Sequence, residues 1–437
     1  MFNWFNRKPQ EKVFVALDIG TENAKALVFT LEEKQSLAGE VIGRRAVIHG
    51  VGKVALRPGD ITTNSITDIA RVIRASKEAI RLASEEAGLQ PQELILGIAG
   101  EFVKGATSTL TYKREDPQTK INITELRNIV HKLQWRAFAD VRKNLSDEMG
   151  YPEIDIKLIG SHVVDVRIDQ YKVSNPLGFQ GREVTLSLFN AFAPLSHYEA
   201  LQSIAEELDL ELLAFVSEPF ALSRCLVSEE GISAIYIDVG GASTDIAVVM
   251  NGNLVGTRTF GIGGRTFTKR LSIELNISFD EAERLKLAYT ADTLEQKSKK
   301  IISDVVADDI EVWVEGIILA LSEFSSPQSE LVLTAGSSEK IDVLPSKILL
   351  CGAGTYLPEF KNTLNTTKWY KKLPFLRMPQ ATYMTPKDLV SVVDETKKLK
   401  DREDMVPLAL VNEGLALTSD ETMIQKVLRK VIGIMKV

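Results

Sequence analysis

The sequence predicts an α/β protein of two lobes facing one another across a cleft, with a smaller α+β unit set into the first lobe. Three observations carry this reading. A strand–tight turn–strand unit with Asp-x-Gly at the turn begins near Val13 and again near Ala234, the two copies starting about half a chain apart. The stretch between the copies holds more strands and helices than one lobe needs. The composition is that of an ordinary globular chain, 44% hydrophobic and 25% charged over 437 residues, enough for roughly three units at about 150 residues each.

Taken in order, residues 13–19 are an apolar strand in which Asp18 precedes Ile19, Gly20 and Thr21, and residues 24–29 form the returning strand with Lys25 near its start. Ile66, Ile69, Ala70, Ile73, Ala79, Ile80 and Ala83 repeat at helical spacing up to Gly88, a helix stop signal. Residues 94–100 are a short buried strand and 107–112 alternate as a strand does. A helix begins at Ile123 and runs toward Ala139, and 154–168 is rich in β-branched residues. The Ser-Asn-Pro-Leu-Gly-Phe-Gln-Gly run at 174–181 is turn chemistry that closes this unit. Strand 184–193, helix 197–208 and strand 212–216 return to the first lobe. The second hairpin carries Asp238, Gly240 and Gly241, then Ala242, Ser243, Thr244 and Asp245. Strand 257–260 leads to a glycine-rich turn ending in Gly263 and Gly264. Helices start at Thr266 and Phe279, the latter with Glu281, Glu283 and Lys286. Residues 322–347 read as partly loop, and 348–354 as a strand closing on a turn with Gly352 and Gly354. Trp135 and Trp313 are expected in the core, and Lys297, Lys299 and Lys300 on a solvated helix face.

The same sequence excludes several classes of function. Its two cysteines, Cys225 and Cys351, lie in unrelated contexts, so neither a disulfide framework nor a cysteine zinc site is expected. The four histidines have no metal-ligand spacing. A net charge of −7 disfavours nucleic-acid binding through bulk positive charge. No apolar run reaches the ~18 residues of a membrane span, and the N-terminus lacks a signal-peptide hydrophobic region. A cytoplasmic location is expected.

Two facing Asp-x-Gly turns suit one anionic ligand. Backbone N–H groups of such turns converge on an anion, hydroxyls of Thr21, Ser243 and Thr244 add donors, and Lys25 neutralises phosphate charge. Asp18 and Asp238 would repel a bare phosphate, so Mg²⁺ with its waters belongs between them. This predicts a nucleoside triphosphate held between the lobes. Neither the P-loop pattern nor a dinucleotide glycine fingerprint after a strand is present.

These residues resemble the phosphate-1, phosphate-2 and adenosine motifs of the actin/DnaK/sugar-kinase ATPases: Asp18–Gly20–Lys25, Asp238–Asp245 and Cys351–Gly354. The resemblance implies an actin-like (ribonuclease H-like) two-lobed ATPase fold with ATP and Mg²⁺ in the cleft. It implies that Glu218, opening Glu-Pro-Phe-Ala-Leu, positions magnesium and water as the catalytic acid. It places Glu283 and Lys286 at the ribose and adenine, with Gly263–Gly264 before the subdomain called 2B. Within the superfamily the chain is similar to the bacterial cell-division proteins FtsA, from about residue 13 to 416, with an inserted 1C-type subdomain where FtsA carries one. On that resemblance 1–12 is an N-terminal leader, and 13–91 with 181–230 form subdomain 1A. The 1C-type insert is 92–180. Residues 231–264 and 336–417 form 2A, 265–335 form 2B, and 418–437 are a C-terminal amphipathic helix. Ala242, Ala353 and Thr355 depart from the usual motifs, which implies slow hydrolysis at most.

The FtsA resemblance implies self-association into filaments, and binding of the tail peptide of tubulin-like FtsZ in 2B, where the three lysines lie. The pilus-assembly protein PilM shares the architecture, and Glu218–Arg224 and the opening residues are PilM-like; that reading implies a pilus inner-membrane protein as partner. A sugar kinase is a third reading, weakened by the lack of a sugar motif. In the tail, Met423, Ile424, Val427, Leu428, Val431, Ile434 and Met435 share one helical face, with Lys426, Arg429 and Lys436 opposite and Lys430 at the boundary. Such a helix lies in an anionic membrane interface or packs on the body, and the first option gives a peripheral location on the inner face of the cell membrane.

Overall fold

The computed structural model describes residues 12–35, 41–62, 66–101, 103–150, 155–226, 231–325, 334–335 and 342–418. Nearly all of the leader and of the C-terminal amphipathic segment therefore lie outside the described residues.

The first lobe opens with β1 (Phe14–Ile19), β2 (Asn23–Gln35) and β3 (Val41–Ala55), an antiparallel meander. β1 is apolar along its length because helices cover it on the inside of the lobe, and only its Asp18 end opens on the cleft. Helix α1 (Ile69–Ala87) starts where the Asp68 side chain accepts from the Arg71 backbone N–H, and ends at Gly88 with φ +63°, the stop read from the sequence. β4 (Glu93–Ile98) then pairs parallel to β1.

The insert follows as β5 (Lys104–Lys113), α2 (Ile123–Met149), β6 (Ile156–Ile168), β7 (Tyr171–Lys172) and β8 (Glu183–Pro194). Its strands redraw the boundaries expected at 92 and 180. β4, inside that span, belongs to the sheet of the first lobe, while β8, outside it, pairs with β5 and β6. α2 runs ten residues beyond Ala139, because nothing before Gly150 interrupts a helix. Trp135 is a correction: it is 54% exposed. Leu133 and Ala137 on either side of it in sequence point inward, so Trp135 faces outward, where it packs on the His131 and Phe138 rings.

The chain returns through α3 (Leu195–Glu207) and β9 (Glu211–Ser217), which pairs parallel to β4, and enters α4 (Glu218–Ser223). The second lobe repeats the first. β10 (Ala234–Val239), β11 (Thr244–Met250) and β12 (Asn253–Phe260) form an antiparallel meander, followed by α5 (Gly264–Leu275), α6 (Phe279–Thr290) and α7 (Gln296–Ser325). α7 continues into the polar stretch expected to be loop, and Trp313 is fully buried in it. After β13 (Thr334–Ala335), β14 (Lys347–Cys351) pairs parallel to β10, as β4 does to β1. α8 (Pro358–Thr366) and β15 (Gln380–Tyr383) complete that lobe. Finally β16 (Val392–Asp394) joins β3, and α9 (Met405–Thr418) packs on β1, β2 and β4.

Strand order is thus β16-β3-β2-β1-β4-β9 in the first sheet and β15-β14-β10-β11-β12 in the second, the same plan twice. The second sheet continues through β12 into β5 and the rest of the insert. That seam is two residue pairs long, Gly256 with Ala106 and Thr257 with Gly105. One apolar core fills the first lobe and runs on to Tyr236, Ala247 and Leu349 on the facing side of the second sheet, another fills the rest of the second lobe, and a third cluster lies between α2 and its strands.

Candidate functional site

Both hairpins place their acid at the same point. Asp18 lies directly across from Lys25 on β2, and Asp238 directly across from Asp245 on β11. The turns close alike: the Gly20 N–H donates to the Asn23 carbonyl at 3.1 Å, and the Gly240 N–H to the Ser243 carbonyl at 2.9 Å. The turns meet in a cleft between the lobes, whose lining includes Asp18, Gly20, Thr21, Lys25, Glu218, Asp238, Gly240, Gly241, Ser243 and Gly352.

Asp18, Glu218, Asp238 and Asp245 are all buried here. Burial raises the Asp18 carboxyl above its ordinary value, and Lys25 partly offsets this. Asp238 is pushed up to about 7 by burial, then by Asp245 and Asp18, with Lys25 and the Cys351 thiol opposing. Asp245 rises to about 6 through burial, held back by its hydrogen bond from Thr259. Glu218 is raised well above the carboxylate range by burial and by the same three acids. Four buried carboxyl groups, two of them raised further by their acidic neighbours, are the environment a bound cation relieves.

Gly352 shows how tightly this corner is built. Its φ is +87°, and a Cβ there would land on Asp238 Oδ1. That oxygen is buried without a hydrogen-bond partner among the described residues. Gly354 packs against Val239. The Gly263–Gly264 turn lies behind the second hairpin: the Gly264 N–H donates to the Gly240 carbonyl at 2.9 Å, and the Arg265 N–H to the Gly241 carbonyl at 2.7 Å. Glu283 and Lys286 sit further back and do not line the cleft. Lys286 Nζ donates to the Gly264 carbonyl at 3.0 Å and to Thr268 Oγ1 at 2.7 Å, and pairs with Glu283 at 2.8 Å.

Thr244 corrects the expected donor set. Strand alternation turns its side chain away from Ser243 into the lobe, where Oγ1 donates to the Ile262 carbonyl at 2.6 Å and accepts from Trp313 Nε1 at 2.9 Å. Conversely, several residues of the site escaped the sequence reading. Gly97 lies so close to Glu218 that a Cβ would meet Oε1 at 2.8 Å. His197 on α3 also lines the cleft, and so does Glu403, whose carbonyl accepts from Lys25 Nζ. Asp245 carried a signal, since it follows Asp238 by the same seven positions that separate Lys25 from Asp18; Glu403 carried none, because its run reads as charged loop.

The residues fit a hydrated cation. Among the described residues no three His, Cys, Asp or Glu side chains stand close enough together to hold a metal directly. The unpartnered Asp238 Oδ1 and the buried carboxyls around it would instead face a magnesium through its waters, the usual manner for that ion beside a phosphate ligand.

Comparison with known proteins agrees with the architecture. The family model described as "Cell division protein FtsA" matches residues 235–381. FtsA of Enterococcus hirae is 25% identical over 416 residues, covering 92% of this chain and 87% of that protein. FtsA of Bacillus subtilis (strain 168) is 26% identical over 279 residues, covering 63% of this chain and 57% of that protein. Among solved structures, the PilM-PilN type IV pilus biogenesis complex gives a TM-score of 0.60 at 15% identity, over 93% of this chain and 98% of that one. The chain is FtsA-like in sequence, and its fold is the two-lobed actin-like one.

Proposed function

We propose that this protein is an actin-like, nucleotide-binding scaffold that self-associates into filaments and tethers cytoplasmic division filaments to the membrane, in the manner of FtsA. The observation that carries the nucleotide part is the facing pair of Asp-x-Gly hairpins, with four buried carboxyls and Lys25 around one cleft. The division part rests on similarity to FtsA over most of the chain. Beyond the PilM-like Glu218–Arg224 run and opening residues, the likeness to PilM is one of fold.

In this reading ATP–Mg²⁺ occupies the cleft, the cation neutralising charge between phosphate and carboxylates. Thr21, Gly241 and Ser243 offer donors to the phosphates, Gly20 and Gly240, whose N–H groups close the turns, let the backbone come close, and Lys25 leaves the Glu403 carbonyl to pair with the phosphates. Gly263, Gly264, Gly352 and Gly354 bring backbone close to the adenosine, with Glu283 and Lys286 supporting that wall from behind. Glu218 orients a water, and turnover is slow at most. The tail helix anchors the protein on anionic lipid, at the inner face of the cell membrane, and 2B receives an FtsZ tail peptide.

Titration calorimetry tests the core of this. The wild type should bind ATP only with Mg²⁺ present, and Asp238→Ala should lose this Mg²⁺-dependent binding while keeping its circular dichroism spectrum. Unchanged Mg-ATP affinity in the variant would overturn the assignment.

A further inference from the structure

Arg265 is the first residue after the Gly263–Gly264 turn, and its backbone is fixed to the second lobe through the Gly241 carbonyl. Its side chain nevertheless leaves that lobe. The guanidinium pairs with Glu22 through Nε, donates to the Thr21 carbonyl from Nη2 at 2.7 Å, and to the Ile61 carbonyl from Nη1 at 3.4 Å. All three partners belong to the first lobe and line the cleft. The two phosphate-facing turns touch at this point: a Cβ on Gly241 would meet Thr21 Oγ1 at 2.5 Å and Glu22 Oε1 at 2.7 Å. The Arg265 side chain is 18% exposed.

The chemistry of the contact is specific to arginine. Its planar fork presents donors in several fixed directions, and here it satisfies one carboxylate and two carbonyls at once. Lysine would offer a point charge and reach one of them well. Because Glu22 neutralises the charge, Arg265 has little excess charge to draw an anion inward; its effect is geometric. Elsewhere around the cleft the chain itself passes between the lobes, after α4 and again between β15 and β16, and the Arg402 carbonyl accepts from the Gly352 N–H at 3.0 Å. Arg265 joins the two hairpin turns themselves, and does so through side-chain contacts alone, so it can let go.

We propose that Arg265 is a positioning residue of the cleft: it clamps the two hairpin turns together across the lobes and thereby sets how fast nucleotide leaves. This rests on the nucleotide reading above. Loss of hydrogen bonds to a charged group on this scale corresponds to a roughly 10–100-fold change in a rate constant.

The test uses the full chain and a fluorescent ATP analogue with Mg²⁺ in stopped flow. Arg265→Ala should release the analogue roughly 10–100-fold faster while its entry rate stays within about twofold, and Arg265→Lys should fall between. An unchanged release rate in Arg265→Ala overturns the clamp. The exchange pair Glu22→Arg with Arg265→Glu re-forms the ion pair but not the donors to the two carbonyls, so it should release more slowly than either single change and faster than the wild type, which damage to the fold would not do. A second readout needs no nucleotide: pulsed electron paramagnetic resonance between spin labels at Arg74→Cys and Lys269→Cys, exposed helix positions in opposite lobes. The inter-lobe distance should lengthen or broaden when Arg265→Ala is added, and an identical distribution overturns the clamp. A wild type that binds no analogue would sink the nucleotide reading, and the distance measurement would still decide on the clamp.

Discussion

His162 shows what a single side chain contributes here. It stands on β6 with its ring stacked on Phe220 of α4, centroids 4.0 Å apart at 25°, joining the insert to the first lobe. Burial, with a smaller effect from Arg224, lowers its pKa from the ordinary 6.5 to about 3. Between those values the unfolded chain binds a proton that the folded one refuses, so stability is full above pH 6.5 and falls as pH drops. At pH 5 the loss should be about 2 kcal/mol. His162→Phe keeps the stack and removes the titration, so its melting temperature should fall less than the wild type's between pH 7 and 5; equal falls would disprove the assignment. Side chains of the site were unequally legible in the sequence. Asp18 and Asp238 announce themselves because a carboxylate at an Asp-x-Gly turn repeats. Thr244 misled because alternation decides which of two neighbouring hydroxyls faces the ligand, and a run of hydroxyls leaves that open. Glu403 and His197 arrive from distant segments, and nothing local marks them.

The elements were found by their periodicity, yet periodicity does not say which sheet a strand joins. β4 and β8 are both apolar runs, and long-range pairing alone assigns one to the first lobe and the other to the insert. The same limit hid the β12–β5 seam. There Gly105 is packed so closely that a Cβ would strike Thr257 Oγ1 and come within 2.5 Å of the Phe189 ring, whereas at Gly256 the nearest atom, on Phe324, would be 3.1 Å away. Gly105→Val should therefore cost about 1–3 kcal/mol or more by overpacking. Gly256→Ala should cost less, because the Phe324 ring need yield only a few tenths of an ångström. Scanning calorimetry of both variants checks the order, and a Gly105→Val protein melting like the wild type would show that the seam is loose.

At the scale of the whole molecule, two lobes built on one strand plan place their turns against each other, which is why half of the cleft could be read from the other half. The lobe plan was legible because duplication leaves matched residues; the path of the insert was not. The tail proposal is tested at this scale too. If the C-terminal helix enters lipid, Val427→Glu with Leu428→Glu should abolish sedimentation with anionic liposomes and leave the melting temperature unchanged. Salt should weaken wild-type binding only in part, since screening spares the apolar contribution. A lowered melting temperature, with a wild type that ignores liposomes, would mean a helix packed on the body. The seam between β5 and β12 has a further consequence, for biosynthesis. Its partners Gly105 and Thr257 are 152 residues apart. At about 5–20 residues per second, β5 emerges roughly 8–30 s before β12, the first of the two strands that cover its edge, β13 being the second. During that interval the insert offers an unpaired strand edge to any other chain it meets. The most exposed moment in the life of this protein is thus set by the order in which its strands are made, and it falls on the nascent chain rather than on the finished one.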